Sequence, residues 1–305
     1  MQTANTLRPG RSFGGLWKKY GTGTAFFAPF LIFFIVFTII PVITSIVLSF
    51  TDYNMMSAPH FVGLTNYKLL LLEDEEFLIA LKNTLIFAAI VGPLSFCLSF
   101  IMAWVIDQLK GREFFALMFY APSITSAVGM SAIWGLIFSN DRYGIINNFL
   151  YNLGVIDTPI MFSADEKWIM PVIMLIYVWM GMGTGFLVFL AGLQSVSGEL
   201  YEAGMIDGVR NRWQELWYIT VPQMKPQLLF AAINTVTAAF SVFDISTSFA
   251  GLPSANYAGH TLVIHLYDYA FIRFEMGYAA ADAVFLFCLT YFTGKICMRL
   301  FSSKD

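Results

Sequence analysis

The sequence has very little charge for its length. Only 12% of its 305 residues are Asp, Glu, Lys or Arg, whereas an ordinary soluble domain carries about 25%. Hydrophobic residues make up 58% and the mean hydropathy is +0.68, which is more apolar surface than a soluble fold of this size could keep from water. The net charge is −3 and no basic stripe with interleaved aromatic residues occurs, so nucleic-acid binding is excluded. The composition indicates an integral membrane protein.

Sequence patterns for metal binding and for nucleotide hydrolysis are also missing. Cys97, Cys288 and Cys297 lie in or beside apolar segments without CxxC spacing, so we expect them to be buried small hydrophobic residues. The three histidines fall in outer segments and lack HExxH spacing, which argues against a metal or protease site. No Gly-x4-Gly-Lys-Ser/Thr loop occurs, so the chain cannot itself hydrolyse ATP.

The sequence has long hydrophobic runs instead. A helix needs about 20 residues to cross ~30 Å of hydrocarbon, and helices pair their own backbone amides. We therefore predict an all-α integral membrane protein with six transmembrane helices. The uncharged run over 21–51 is too long for a signal peptide and is interpreted as a retained first helix. The six predicted spans are residues 25–50, 84–106, 114–138, 168–193, 227–249 and 277–297.

The positive charges predict how these helices are oriented. With the N-terminus inside, twelve of the 17 lysines and arginines fall on the cytoplasmic side, as the positive-inside rule requires. Both termini are therefore predicted to be cytoplasmic. The predicted division is a cytoplasmic tail (1–24), a first helix (25–50), an extracytoplasmic loop (51–81), a transmembrane core (82–298) and a cytoplasmic C-terminal tail (299–305).

The longest cytoplasmic connection, residues 198–226, has a pattern of its own. Glutamates fall in the first turns of a helical run over 199–206, where the helix dipole favours them. Asp207-Gly208 is a break signal, because glycine tolerates positive φ. A second helical run covers 212–219. The pattern predicts two short helices around a glycine elbow.

The second run of this loop is amphipathic. Trp213, Leu216 and Trp217 recur at helical spacing and are predicted to share one face, and Pro222 ends the run. An exposed hairpin of this kind is either a docking surface for a soluble partner or an interfacial pair lying on lipid headgroups. The physics of the loop alone leaves both interpretations open.

The same loop resembles the EAA loop of ABC importer permeases. That pattern is Glu-Ala-Ala, then Asp-Gly-Ala, then Ile-x-Leu-Pro. Gly204 stands where the pattern has its second alanine, and Val209 and Val221 replace an alanine and a leucine. These substitutions keep the side chains small or apolar. The residues that carry the match are Glu202, Ala203, Gly204, Asp207, Gly208, Trp213, Ile219, Pro222 and Pro226.

The resemblance extends over nearly the whole chain. Five segments are similar to the sugar and glycerol-3-phosphate branch of that family, and closer to the larger of its two partner permeases. They read FVGLTNYKLL (61–70), KNTLIFA (82–88), REFFALMFYAPSI (112–124), FLAGLQSVSGELYEAG (189–204) and TLVIHLYDYAF (261–271). The chain departs from the branch at residues 251–253, which read Gly-Leu-Pro where Gly-Gly-Pro often follows helix 5.

The resemblance implies a six-helix type I ABC importer permease fold in a bacterial or archaeal plasma membrane. It implies a second homologous permease, two copies of an ABC ATPase that use ATP and Mg²⁺, and an extracytoplasmic solute-binding protein that delivers sugar. The 198–226 loop would enter a groove of one ATPase, with Glu202 paired to a basic residue and Gly208 as the elbow. ATPase closure would rock the helices from inward-open to outward-open. The chain itself would be passive and hold no cofactor or metal.

Polar residues inside the spans are further candidates, because they are costly in lipid. Four in helix 5 recur at intervals of 3, 4 and 3 and are predicted to line one face. Such a stripe suits sugar hydroxyls, with an aromatic ring from helix 4 stacking on the sugar. The alternative is hydrogen bonding between helices. Helices 3 to 5 contain no basic pathway residue, which favours a neutral sugar. The predicted pathway residues are Tyr177, Trp179, Asn234, Thr237, Ser241 and Asp244.

Three other features receive a structural interpretation or remain open. Gly181, Gly183 and Gly185 in the fourth span are predicted to be packing positions or a kink. The acidic run over 73–76 is predicted to be a solvated outer surface. Asp282, near the start of the sixth span, is either a functional or an interfacial carboxylate.

Two rival function classes fit the sequence less well. An ion-coupled secondary transporter or channel requires buried Asp, Glu or His residues along its path. The predicted spans offer only Asp244 and Asp282. That interpretation also leaves the 198–226 loop without a role. An intramembrane enzyme would need a nucleophile and a base at depth, and no histidine falls inside a predicted span. A permease subunit driven by partner ATPases remains the leading hypothesis.

Overall fold

The computed structural model describes residues 13–301. Residues 1–12 and 302–305, which belong to the two predicted tails, lie outside the described range. The predicted all-α fold is confirmed, with one antiparallel bridge between Thr51 and Phe61 in the described chain. The helices are α1 (Phe13–Phe34), α2 (Ile40–Leu48), α3 (Thr65–Leu72), α4 (Glu75–Asp107), α5 (Arg112–Ile124), α6 (Ala127–Ile137), α7 (Ile145–Asn152), α8 (Glu166–Ser195), α9 (Gly198–Ile206), α10 (Arg212–Glu215), α11 (Val221–Gln223), α12 (Lys225–Phe240), α13 (Asp244–Ala250), α14 (Leu262–Tyr267) and α15 (Met276–Phe301).

Most of the predicted spans are present, but their ends differ. Five helical stretches are long and apolar enough to cross a membrane: Ala25–Leu48, Glu75–Asp107, Glu166–Ser195, Lys225–Ala250 and Met276–Arg299. The first helix begins at Phe13, so the part of the predicted tail after residue 12 is helical. The second span begins nine residues before the predicted position 84, because Asp74 caps the helix by accepting a hydrogen bond from the Phe77 amide.

The third predicted span is wrong as a single straight helix. α5 and α6 meet at an angle of 95°, and together they form the sixth apolar stretch. Pro122 lies in the last turn of α5, and Thr125 and Ser126 have extended backbone between the two helices. Pro122 and the two extended residues after α5 interrupt the helical hydrogen bonds. An apolar run long enough for one spanning helix therefore forms two helices with a bend between them.

α4 contributes residues to all three clusters of buried side chains. Phe77 and Ala80 pack near its N-terminus against Leu262 of α14 and Tyr278 of α15. Phe87 then contributes to a middle cluster shared with α8 and α13. A third cluster near the C-terminus of α4 includes Ala103, Ile106, Phe186, Phe189, Met224 and Leu228.

Small and hydroxyl residues let α4, α5 and α8 approach closely, as in other membrane helix pairs. Ser99 Oγ of α4 donates to the Met182 carbonyl of α8 over 2.8 Å. A Cβ added at Gly185 would lie 3.2 Å from that Ser99 hydroxyl, and one at Gly183 would overlap Ser123 of α5. The predicted packing role of these two glycines is confirmed.

The surface of the isolated chain is strongly apolar. No residue in the most apolar window of Ala25–Leu48 is buried, so this helix is left to contact lipid or another subunit. Cys97 and Cys288 are also exposed. The prediction that these cysteines are buried is wrong, because an apolar span does not specify whether a position faces the bundle or the membrane.

Candidate functional site

The predicted elbow in the 198–226 hairpin is present. α9 starts at Ser197, whose hydroxyl accepts from the Glu199 amide over 3.3 Å. It ends at Asp207, where the Val209 amide donates back to the Gly204 carbonyl over 2.9 Å. Gly208 has a φ of +95°, a conformation that side chains with a Cβ rarely adopt. The chain therefore reverses direction at the position that the sequence predicted.

The second arm of the hairpin has its own local supports. The Asn211 side chain accepts from the Gln214 amide over 2.9 Å, and the Gln214 side chain accepts from the Arg210 amide over 2.8 Å. This reciprocal pair resembles a capping box. Arg212 and Glu215 form an ion pair at 2.7 Å. The arm continues through a π-helical turn over Leu216–Thr220 and α11 into α12.

The two arms are packed together and fastened to the transmembrane core. Gly204 is buried, and a Cβ there would lie 2.5 Å from Ile219 Cδ1. A side chain at this position would therefore require the end of the Ile219 side chain to move. The hydroxyls of Tyr201 and Thr220 lie 3.0 Å apart across the arms. The ring of Trp213 lies 5.0 Å from that of Trp104 in α4, so the hairpin contacts a spanning helix directly.

The predicted common face of Trp213, Leu216 and Trp217 is wrong in one respect. Leu216 is only 4% exposed, whereas Trp217 is 63% exposed. Trp217 faces outward, and Trp213 stays largely exposed although its ring contacts Trp104. Leu216 turns inward because the second arm lies between the core and the surface. The exposed apolar residues of the hairpin include Met205, Ile206, Trp213, Trp217 and Tyr218.

A cavity of about 410 Å³ lies between α4, α8 and α12. The Tyr177 hydroxyl in its wall donates to the Ala238 carbonyl over 2.7 Å. Ser95 Oγ is buried without a hydrogen-bond partner in the described part of the chain. The lining contains polar neutral groups and, among the described residues, no charged side chain. The lining residues are Ser95, Tyr177, Gly181, Thr184, Gly185, Val188, Ala231, Asn234, Thr235 and Ala238.

Only two of the predicted pathway residues, Tyr177 and Asn234, line this cavity. Trp179 instead lines a separate apolar cavity and packs its ring 6.4 Å from that of Trp134. Thr237 and Ser241 donate to carbonyls four residues earlier in the chain.

The predicted polar stripe does not stay on one helix. α12 ends at Phe240, and Asp244 opens α13 after the break. Asn234, Thr237, Ser241 and Asp244 are all exposed in the isolated chain. Ser241 caps α12 and Asp244 begins α13, so the interval from Ser241 to Asp244 crosses a break between two helices.

The predicted solvated surface over 73–76 is wrong for Asp74. Besides capping α4, this carboxylate accepts from the Tyr278 hydroxyl over 2.6 Å and lies 3.1 Å from His265 Nε2. His265 Nδ1 lies 2.8 Å from Asp282, which is fully buried. The sequence contained a usable signal for Asp74, because an aspartate before an apolar run is a typical helix N-cap. It contained no signal that paired Asp74 with residues about 190 positions later.

Comparison with known proteins gives consistent relatives. The chain is 33% identical over 305 residues to the probable ABC transporter permease protein YesP of Bacillus subtilis, covering 99% of this chain and 95% of the relative. It is 32% identical to the lactose transport system permease protein LacF of Rhizobium radiobacter, with 86% and 87% covered. It is also 32% identical to the arabinooligosaccharides transport system permease protein AraP of Bacillus subtilis, with 94% and 90% covered. No protein-family model matches the chain.

A solved structure has the same fold. It is described as a bacterial ABC transporter involved in the import of the acidic polysaccharide alginate, and one of its chains superposes with a TM-score of 0.79 at 21% identity. The match covers 94% of this chain and 98% of that chain. With relatives above 30% identity over nearly their whole length, an apolar helical bundle and a 198–226 hairpin with a glycine elbow, this multi-pass membrane protein belongs to the family of ABC transporter permeases.

Proposed function

We propose that this protein is the membrane-spanning subunit of an ATP-driven importer of a neutral sugar or oligosaccharide. It acts with a second homologous permease and two ATPase subunits that bind and hydrolyse ATP with Mg²⁺, and it holds no cofactor itself. The observation that carries the proposal is the 198–226 hairpin, which exposes apolar side chains on its outer side and is packed onto α4 through Trp104 on its inner side. A hairpin held in this way can act as a lever for a partner.

A soluble partner fits this hairpin better than a lipid surface does. Its first arm exposes the carboxylates Glu199, Glu202 and Asp207 among apolar side chains, whereas its basic residues Arg210 and Arg212 fall on the second arm. Interfacial helices that lie on anionic headgroups are rich in Lys and Arg on their polar face, because acidic groups are repelled there. The acidic residues therefore favour an ATPase groove that offers a basic residue to Glu202.

The central cavity supports a neutral solute. Its polar groups are hydroxyls and the Asn234 amide, which donate and accept hydrogen bonds without charge, and the ring of Tyr177 offers an apolar face for a sugar ring. The relatives serve lactose and arabinooligosaccharides, and a multiple sugar-binding transport system permease is similar as well. The cavity lacks the basic residues that an acidic polysaccharide such as alginate would be expected to need.

The same arrangement supports the remaining partners. A solved alginate transporter was obtained in complex with a periplasmic protein that carries the oligosaccharide, which favours an extracytoplasmic binding protein here too. The exposed polar face of α12 would pack against the second permease. The excess of lysine and arginine in one set of loops favours a bacterial or archaeal plasma membrane protein with both termini in the cytoplasm.

The test is ATP-dependent uptake by the complete transporter reconstituted in vesicles. Glu202→Ala and Gly208→Ala are expected to leave the protein inserted but to lower coupled uptake at least about 10-fold, since a central interface residue contributes about 2 kcal/mol or more. Glu73→Ala, at an exposed carboxylate outside the hairpin, is the control and should transport normally. Normal uptake in both test variants would contradict the lever role. Uptake by this chain alone, driven by an ion gradient, would instead establish a secondary transporter.

A further inference from the structure

Five residues form a polar cluster at the end of α4 opposite the hairpin; three of them are buried and the other two, Asp74 and Tyr269, are partly exposed. Trp104, which contacts the hairpin, lies about 45 Å along α4 from its N-terminus, because each residue advances a helix by 1.5 Å. We call these residues the outer cluster: Asp74, His265, Tyr269, Tyr278 and Asp282. The cluster joins α4, α14 and α15, and neither the proposed lever nor the central cavity uses it.

The geometry around His265 matches a charged imidazolium between two ionised carboxylates. Its Nδ1 lies 2.8 Å from an oxygen of Asp282 and its Nε2 lies 3.1 Å from an oxygen of Asp74. A neutral imidazole has one N–H and one acceptor nitrogen, so it would set a lone pair against one of the two carboxylates. An imidazolium donates from both nitrogens and satisfies both contacts. The side chain is 1% exposed, so water cannot replace either partner.

The two carboxylates depend on His265 to different degrees. Asp74 also accepts from the Phe77 amide at 2.9 Å, from Tyr278 at 2.6 Å and from Tyr269 at 3.2 Å. Asp282 is fully buried, and its second oxygen has no hydrogen-bond partner in the described part of the chain. An isolated buried carboxylate is strongly unfavourable. The negative charge of Asp282 is therefore supported chiefly by the proton on His265.

We propose that His265 is a charged clamp that joins the outer ends of α4 and α15 through α14, and that the clamp is released when the imidazole loses its proton. The proposal concerns how the bundle is held and stands whether or not the chain imports sugar. Asp74 lies at the start of α4 and Asp282 in the second turn of α15. α14 itself is held against α4 by the Leu262 amide, which donates to Thr84 Oγ1 over 2.9 Å.

The electrostatics give the pH range in which the clamp opens. Burial alone disfavours the imidazolium, but hydrogen bonds to Asp282 and Asp74 outweigh it and raise the pKa of His265 from 6.5 to about 9. A raised pKa contributes stability that is complete below about 6.5 and is lost as the pH rises through about 9. Within the cluster, Tyr269 and Tyr278 can also titrate. The charged or titratable groups around it are Glu76 on α4, Asp268 and Arg273 in the 268–273 turn and His260 before α14.

The experiment measures thermal unfolding of the assembled transporter in lipid nanodiscs between pH 6 and pH 10. The Tm of the native protein is expected to fall between pH 7 and pH 10. This fall should exceed that of the double variant His265→Gln/Asp282→Asn by at least about 3 °C. That variant keeps hydrogen-bonding side chains but removes the titrating pair, so its Tm should be flatter with pH. His260→Gln is the control, because burial lowers the pKa of His260 to about 4 and leaves it neutral across this range. It should keep the native pH dependence.

A spectroscopic measurement keeps the test decisive if the double variant does not fold. In the full native chain with ¹³C-labelled histidine, three ring signals are expected, and the His265 signal is identified by its absence in His265→Gln. Its chemical shift should remain that of an imidazolium at pH 8 and change near pH 9. A neutral ring at pH 7, or a Tm profile identical in the native protein and the double variant, would overturn the proposal.

Discussion

The two ends of α4 use their polar and apolar residues in opposite ways. At the inner end, the 198–226 hairpin leaves apolar side chains such as Trp217 and Ile206 exposed. At the outer end, the cluster around His265 turns its charged groups inward and pairs them with one another. Exposed apolar surface is stabilised only when something covers it, whereas a buried ionic network acts on the fold that contains it. On the proposals above, the hairpin end of α4 serves a partner and the opposite end holds the bundle together.

The two ends also differ in how far apart their contacting residues lie in the chain. The supports of the hairpin join residues three to nineteen positions apart, such as Asn211 with Gln214 and Tyr201 with Thr220. The outer cluster joins Asp74 to His265 across 191 positions. Local contacts form wherever the segment folds, whereas distant ones require the whole bundle. A substitution at the outer end should therefore affect global stability most.

The largest expected effect is that of Asp74→Ala at the outer end. The substitution removes the N-cap of α4 and leaves His265, Tyr269 and Tyr278 without their shared acceptor. Losing one partner of a buried charged pair costs about 3–5 kcal/mol, so unfolding of the purified transporter should occur at a clearly lower temperature. Glu73→Ala, an adjacent exposed carboxylate, should change stability by less than about 0.5 kcal/mol. Equal stability of the two variants would remove the distinction between the ends.

A pair of adjacent residues in the hairpin sharpens the comparison. Leu216→Ala, at a side chain that is 4% exposed, should cost about 2–4 kcal/mol in stability by leaving a cavity. Trp217→Ala should leave stability nearly unchanged but weaken binding of the ATPase about 30-fold, as loss of an exposed aromatic anchor does. Thermal unfolding and ATPase co-purification measure the two effects separately. A stability loss at Trp217 without weaker binding would show that this side of the hairpin is structural.

The smallest expected effect lies between the two ends, in the central cavity. Asn234→Ala removes one hydrogen-bonding side chain from the lining and should weaken sugar transport about 5-fold, since a hydrogen bond contributes about 1 kcal/mol. Ser241→Ala is the matched control, because that hydroxyl bonds the Thr237 carbonyl and does not line the cavity. Uptake kinetics in vesicles distinguish them. A larger effect at Ser241 would place the pathway along the predicted stripe instead.

Sequence reasoning succeeded where a signal is contained in one segment. The apolar runs predicted the spanning helices, and Asp207-Gly208 predicted the elbow that Gly208 forms at positive φ. The predictions were less successful where they depended on the direction in which a side chain faces. Trp179 and Tyr177 lie two positions apart in α8 and line different cavities, which a search for aromatic residues near the polar stripe did not distinguish. Leu216 turned inward for the same reason, because helical spacing groups side chains without saying what covers them.

The amino-acid sequence by itself determined the membrane environment, the count of apolar segments and the inner hairpin, because hydropathy and turn chemistry act over neighbouring residues. Only the tertiary structure decided which residues meet between helices: the bend between α5 and α6, the cavity shared by α4, α8 and α12, and the pairing of His265 with two carboxylates. Those contacts depend on how the helices rotate and approach one another. The sequence pattern does not specify how each helix is rotated, because apolar side chains are equally compatible with lipid and with the protein interior.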